Sequence, residues 1–186
     1  MKRYLRNILF FSMTLLVSCS ARKDCPDKAN LLPMFSGLKK CDEQIKIDND
    51  FIADCNKYFK DRKEATRYHI DRGWEYFFKN DLDTAMMRFN QAWLLDSTNA
   101  DVYWGFGNIL GRQQKFQESL KYFDKSLAIN SGNSKVWLCS ATSYGQLTAC
   151  YSYFMQKDSA RKYLAITDRL DPKAINPEVR QILNDK

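Results

Sequence analysis

A 34-residue spacing between matching side chains is the feature of this sequence that most restricts its fold. The spacing relates glycine, aromatic and small residues alike: Gly73 to Gly107, Phe89 to Phe123, Ala85 to Ser119 and Ala92 to Ser126. Apolar residues between these positions follow the period of an α-helix. One pair of helices cannot bury its apolar face alone, so a repeat of this length predicts helical hairpins stacked side by side.

The repeated residues resemble the tetratricopeptide repeat family. Residues 66–99 fill the family's small and aromatic positions without a gap, at Gly73, Tyr76, Ala85, Phe89 and Ala92. Residues 100–133 keep the pattern but place serine at both small positions of the second helix, Ser119 and Ser126. Neither unit has the family's usual proline near its end. The resemblance implies an all-α fold, a short α-solenoid of about three hairpins.

The third unit, residues 134–173, is longer than the other two. Its first helix keeps the 34-residue spacing at Trp137, Ala141 and Tyr144. The family positions of its second helix and end lie seven residues further along than that spacing predicts, at Ala160, Leu164 and Pro172. Seven residues make about two helical turns, so a longer first helix over residues 134–156 keeps its faces in register. Asn176-Pro177-Glu178 then predicts a capping helix over about residues 177–184, because it combines a cap residue, a proline and an acid.

The chain before the repeats divides into a helix and a linker. Phe51, Ile52, Cys55, Tyr58 and Phe59 share one face of a helical period, which predicts an extra helix beginning near residue 48. The folded domain is therefore expected over residues 48–186. Residues 19–47 hold the attachment cysteine described below and a linker, whose stretch 20–40 lacks sustained periodicity and needs no fold.

Small residues in the repeats predict close helix packing. We expect Gly73 of a first helix to meet Ala85 of its second helix, where a larger side chain would separate the axes. Phe89 is then expected to fill the space between that hairpin and the next.

The N-terminal residues have the pattern that is typical of an export signal. Lys2, Arg3 and Arg6 precede an uncharged run over residues 8–17. Ten helical residues span about 15 Å, half of a ~30 Å hydrocarbon core, which indicates a signal peptide over residues 1–18. Leu16-Val17-Ser18-Cys19 resembles the lipobox of bacterial lipoproteins. That resemblance implies a diacylglycerol thioether on Cys19, N-acylation such as palmitate, and a membrane-anchored location in the cell envelope, in the outer membrane. An ordinary signal peptide with a chance cysteine is the alternative.

Charge and cysteine content narrow the function. Removing residues 1–18 takes away three basic residues and lowers the formal net charge from +7 to +4, which gives no case for nucleic-acid binding.

The remaining cysteines are odd in number: Cys25, Cys41, Cys55, Cys139 and Cys150. We favour buried free thiols over a disulfide. On one helix Cys139 and Cys150 would lie about 16 Å apart, too far for a bond, so any bridge must involve one of the other three.

Residue patterns for catalysis or metal binding are absent from the sequence. There is no CxxC pair, and His69 is the single histidine, so no cofactor is expected beyond the lipid on Cys19. His69 lies one turn before Gly73, where packing is the expected role. We predict that the chain is not an enzyme.

The family resemblance implies a concave groove lined by the first helix of each hairpin. Its partner-binding candidates are aromatic, amide and basic: Trp74, Phe77, Phe78, Trp104, Asn108, Arg112 and Lys135. Such a surface suits a peptide or protein partner, because apolar pockets supply energy and polar groups fix register. A competing interpretation has Trp74 and Phe78 covered by the helix that contains Phe51. The predicted function is a lipid-anchored interaction module, and the alternative is a structural subunit docked constitutively in an envelope complex, such as a secretion, pilus or outer-membrane assembly machine.

Overall fold

The computed structural model describes residues 25–153 and 156–184, and within them the fold is all α, as predicted. No β-strand occurs in these two stretches. Eight α-helices follow one another along the described chain: α1 Asp42–Tyr58, α2 Arg62–Phe78, α3 Leu82–Leu95, α4 Ala100–Arg112, α5 Phe116–Ile129, α6 Ser134–Tyr153, α7 Lys157–Leu170 and α8 Pro177–Asn184. Three short 3₁₀ helices complete the secondary structure: Ala29–Leu31, Pro33–Gly37 and Pro172–Ala174.

Three helical hairpins form the body of the molecule. Helices α2 and α3, α4 and α5, and α6 and α7 pack in pairs, and α3 and α5 join each pair to the next. The first two hairpins turn in the same way, since Asn80 and Gln114 both adopt a left-handed backbone with φ of 60° and 64°. These residues occupy equivalent positions in the 34-residue repeat. The predicted helical-repeat solenoid is confirmed.

Phenylalanine rings pack into glycine gaps between the helices. A Cβ atom built on Gly73 would lie 2.8 Å from the Phe89 ring, and one built on Gly105 would overlap the same ring. Phe89 therefore occupies the space between the first hairpin and the second, as expected, because Gly73 lies on α2 and Gly105 on α4. The expectation that Gly73 meets Ala85 stays a prediction, and the contact shown at Gly73 is with Phe89. The three atoms nearest to that Cβ all belong to Phe89.

Helix α1 begins at Asp42, before the predicted start near residue 48. Phe51, Ile52 and Phe59 pack on a small core with Cys55, Ala65 and Leu95. At the start of α2, Asp61 accepts a hydrogen bond from the Glu64 backbone N–H at 2.8 Å and so caps the helix. The helix thus adds one layer to the N-terminal edge of the solenoid.

The predicted linker is folded where the structure describes it. Residues 25–41 form a segment, here called the strap, that packs against α3 through its two 3₁₀ helices. Phe35 is 4% exposed. The linker prediction for residues 20–40 was wrong over this stretch, because buried side chains and hydrogen bonds to α3 hold a segment that shows no helical period.

A disulfide closes the strap between Cys25 and Cys41, whose Cα atoms are 5.1 Å apart. The preference for free thiols at these two positions was therefore wrong, although the bond uses two of the three cysteines that the spacing left available. Cys55 and Cys139 are free thiols, whereas the side chain of Cys150 lies outside the described part of the structure. The signal peptide over residues 1–18 and Cys19 lie outside the described residues.

The last hairpin and the tail close the far end of the stack. Helix α6 has 20 residues, which agrees with an extended first helix in the third unit. The capping helix is confirmed as α8, where Asn176 accepts a hydrogen bond from the Glu178 N–H at 2.8 Å and Leu183 is buried. Helix α8 contacts α6 and α7. Across the described ranges, no helix combines the length and the apolar character needed to cross a bilayer.

Candidate functional site

The first helices of the three hairpins, α2, α4 and α6, form the candidate site. Helix α4 contacts both α2 and α6. Because successive repeats place equivalent residues on equivalent faces, side chains of these three helices converge on one side of the solenoid. We call this surface the groove.

Aromatic rings form a continuous row at one end of the groove. The Trp74 ring centre lies 4.5 Å from that of Trp104, 5.4 Å from Phe77 and 6.1 Å from Phe78. Phe77 is buried and the two tryptophans are half-buried, whereas Phe78 is 78% exposed. Rings held against one another lose little side-chain freedom on binding, so the row is preorganised to receive an apolar group.

Two cations lie over this row. The Arg112 guanidinium carbon is 5.1 Å from the Phe77 ring centre, and the Lys135 ammonium is 5.8 Å from the Trp104 ring centre. Neither forms an ion pair with another residue of the described stretches. Cation–π contacts at exposed sites contribute about 0.5–1 kcal/mol. The rings therefore position both charges while their hydrogen-bond donors stay available to a ligand.

A cleft of about 410 Å³ continues from the row between the three helices. This volume falls in the lower part of the range for ligand pockets, which suits one or two side chains of a partner. Its walls combine apolar, polar and basic side chains from α2, α4, α5 and α6: Phe77, Asn108, Gly111, Arg112, Phe116, Phe123, Cys139, Thr142, Ser143 and Gln146.

Asn108 links the cleft to the aromatic row. Its Nδ2 donates to the Trp104 backbone carbonyl at 2.8 Å, and its Oδ1 accepts from the Cys139 thiol at 3.6 Å. The Trp104 indole N–H is buried and donates to no residue that the structure describes. An unpaired buried donor costs about 1–3 kcal/mol. The groove thus holds one polar group whose hydrogen bond is unmade.

Within residues 25–153 and 156–184, neither end of the fold covers the groove. The Phe51 ring lies 5.1 Å from His69, and the Phe59 ring lies 5.3 Å from Tyr68, both on the N-terminal half of α2. Phe78, at the other end of α2, stays exposed, so the interpretation in which α1 covers it is wrong. Helix α8 packs on α6 and α7, and none of the described side chains beyond Gln146 lines the cleft.

The structure brings all seven sequence-derived candidates onto this one surface. Trp74, Phe77, Phe78 and Trp104 form the row, Arg112 and Lys135 lie over it, and Asn108 connects it to the cleft. Their role in partner binding stays a prediction. Sequence reasoning missed Phe116 and Gly111. Phe116 opens a second helix, outside the set of first helices, and Gly111 contributes space instead of a side chain.

The buried pair of Cys55 and His69 lies away from the groove. The Cys55 sulfur is 3.8 Å from His69 Nε2. Burial, and then the charge of Arg88, lower the pKa of His69 to about 4, and burial raises the pKa of the Cys55 thiol. Both groups are neutral near pH 7 and closed off from solvent, so the pair lacks the exposed thiolate that nucleophilic chemistry needs.

Acidic residues serve as helix caps. Asp81 accepts a hydrogen bond from the Thr84 N–H at 3.1 Å and so caps α3, as expected from its position. No group of three or more potential metal ligands occurs in the part of the chain that the structure describes.

Comparison with known proteins adds no assignment. A scan against models of protein families found no match, and a search of curated proteins also found none. The functional argument therefore depends on the groove and on the sequence.

Proposed function

We propose that this chain is a lipid-anchored interaction module of the bacterial cell envelope, which binds a peptide or protein segment in the groove of its tetratricopeptide-like hairpins. The observation that carries the proposal is the uncovered aromatic row, where Phe78 is 78% exposed beside Trp74. Exposure of an aromatic ring to water is unfavourable, and burying one under a partner contributes about 1.5–3 kcal/mol to the binding free energy.

The groove offers both parts of a protein-recognition surface. The aromatic row supplies apolar area, and Arg112 and Lys135 supply charged donors close beside it. Energetically dominant interface residues are enriched in tryptophan, tyrosine and arginine, and they cluster where water is excluded. A partner with an apolar side chain next to backbone carbonyls or a carboxylate would satisfy this arrangement.

The N-terminal sequence and one disulfide support the proposed location in the cell envelope. Leu16-Val17-Ser18-Cys19 supplies the acylation motif, with Cys19 as the attachment residue. The Cys25–Cys41 disulfide supports export, since such bonds persist in oxidising compartments and are rare in the reducing cytosol. Two or three acyl chains on Cys19 would anchor the domain stably.

Substitution at Phe78 tests binding without disturbing the fold. Mature protein carrying Phe78→Ser, and a second variant carrying Arg112→Gln, would be compared with the parent in crosslinked pull-downs from native membranes. We expect both to lose the partner that the parent retains. Tyr58→Ser is the matched control, because Tyr58 is also an aromatic residue, is 71% exposed and lies outside the groove on α1. Retention of the partner by both groove variants would rule out the groove as its binding site.

A second candidate function is favoured by exposed apolar side chains on α1. Ile45, Ile47 and Tyr58 are exposed there, although the groove does not include them. A structural subunit docked constitutively in an envelope complex would use such a surface. It predicts the reverse result, in which Tyr58→Ser or Ile47→Ser loses the partner while Phe78→Ser retains it.

A further inference from the structure

The strap and the groove belong to different layers of the solenoid. Asn90 on α3 binds the strap backbone, and the Phe35 ring packs edge-on against Trp93, also on α3, with 6.2 Å between centres. The Met34 sulfur lies 3.9 Å from the Lys125 ammonium on α5. Helices α3 and α5 are the second helices of their hairpins, whereas the groove is formed mainly by the first helices α2, α4 and α6.

The strap is fixed firmly to this second-helix side. Asn90 is 1% exposed and makes three hydrogen bonds to strap backbone groups. Its Oδ1 accepts from the Met34 N–H at 2.8 Å, and its Nδ2 donates to the carbonyls of Asn30 and Leu32 at 2.9 Å each. The disulfide ties the start of the strap to the start of α1, so the exposed Cys25 has a defined place on the domain.

Little chain separates Cys25 from the proposed attachment residue. Cys19 lies six residues before Cys25, and six extended residues reach at most about 20 Å. The two helix layers of the solenoid are each about 10 Å thick. A chain that starts at the bilayer and ends at Cys25 could at most equal the thickness of both layers, so the groove would come onto the membrane only if these six residues were fully extended along the edge of the domain. An unfolded linker extending to residue 40 would reach about 70 Å and impose no orientation.

We propose that the strap holds the second-helix side of the solenoid toward the bilayer in which Cys19 is anchored, so that the groove opens away from the membrane. This inference rests on the proposed lipid anchor. Lys28 and Lys39 are exposed on the strap. With Asp27, which is also exposed, they leave the strap a small net positive charge, which anionic headgroups attract weakly. The groove then faces a partner that approaches from the aqueous side of the membrane.

Fluorescence quenching from the membrane surface tests the orientation. Acylated mature protein would be purified and reconstituted in vesicles of phosphatidylethanolamine and phosphatidylglycerol that contain a lipid with a quencher on its headgroup. A fluorescent amino acid would replace Met87, exposed on α3, or Phe78, exposed in the groove. We expect quenching at Met87 about twofold or more above that at Phe78, because the two residues lie on different layers, α3 and α2, whose helix axes are about 8–10 Å apart.

A variant with a long glycine-serine insertion between Cys19 and Cys25 is the matched control. It retains the anchor and the folded strap but lengthens the chain between them, so the difference between Met87 and Phe78 should disappear. Equal quenching at the two positions in the parent, or stronger quenching at Phe78, would overturn the orientation while leaving the anchor in place. Failure of the protein to float with the vesicles would instead refute the anchor, and the orientation with it.

Discussion

Replacing Gly105 with alanine tests how the first two hairpins are held together. Gly105 lies on α4, and the Phe89 ring from α3 rests directly on its backbone, so a methyl group there would overlap three ring atoms. Carbon atoms normally meet at about 3.5–4.0 Å. The ring is 0% exposed and lies close to the Gly73 backbone on its other side, where even an added Cβ would be only 2.8 Å away, so little room is left for it to shift toward α2.

The expected cost follows from two opposing effects. Overpacking a tight core by one carbon costs about 1–3 kcal/mol, and the confinement of Phe89 on both sides places this site at the upper end. Alanine recovers about 1 kcal/mol over glycine within a helix. We therefore expect a net loss of about 2 kcal/mol in the free energy of unfolding. For a domain of this size, that loss lowers Tm by about 4–8 °C.

Urea and thermal unfolding followed by circular dichroism would measure this loss. Gly132→Ala is the control, because the nearest atom to a Cβ at that exposed turn is Asn130 Oδ1 at an ordinary 3.6 Å. It should unfold within about 0.5 kcal/mol of the parent. Phe89→Leu should lower the free energy of unfolding less in the Gly105→Ala variant than in the parent. The smaller side chain relieves the overlap that Gly105→Ala creates. If Gly105→Ala unfolds like Gly132→Ala, Phe89 is not confined between the hairpins.

Three further predictions address stability, the strap and the anchor. The buried His69 has a pKa of about 4. The unfolded chain binds a proton below about pH 6.5 and the native chain does not, so stability should fall by up to about 3 kcal/mol between about pH 6.5 and pH 4. His69→Phe should flatten this dependence in urea unfolding, and an unchanged slope would contradict the assignment. Asn90→Leu should speed deuterium exchange of the Met34 amide about tenfold or more, because a buried hydrogen bond is lost; unchanged exchange would mean that Asn90 does not hold the strap. Cys19→Ala should leave the protein soluble in the exported fraction or unprocessed, whereas full partitioning into detergent would exclude the lipid anchor.

The placement of the groove residues was predictable because a repeat ties sequence position to a face. Trp74 and Trp104 both lie on first helices, and the helical period places them on the side that neighbouring first helices share. Their contact at 4.5 Å follows from that register. Phe116 was not predictable in the same way, since it lines the cleft from the start of a second helix and depends on how α5 meets α4 and α6.

The strap shows the opposite case. Residues 25–41 have no helical period and contain two prolines, which is typical of a linker. Their fold depends on Asn90, which lies 60 residues from Asn30, one of its hydrogen-bond partners. The choice of Cys25 and Cys41 for the disulfide likewise depends on where the strap ends against α1. An odd number of cysteines without a pattern of spacing cannot select a pair.

By itself, the sequence determined the all-α class, the hairpin repeat and the face that carries Trp74, Trp104 and Arg112. Those properties follow from local periodicity, in which each residue's direction depends on its neighbours along one helix. Only the tertiary structure decided that the Phe89 ring rests on Gly105 as well as on Gly73, that α1 leaves Phe78 exposed and that the strap is folded. Each of these depends on contacts between segments distant in the chain, where side-chain volume and hydrogen bonding select one arrangement from several that the local pattern allows.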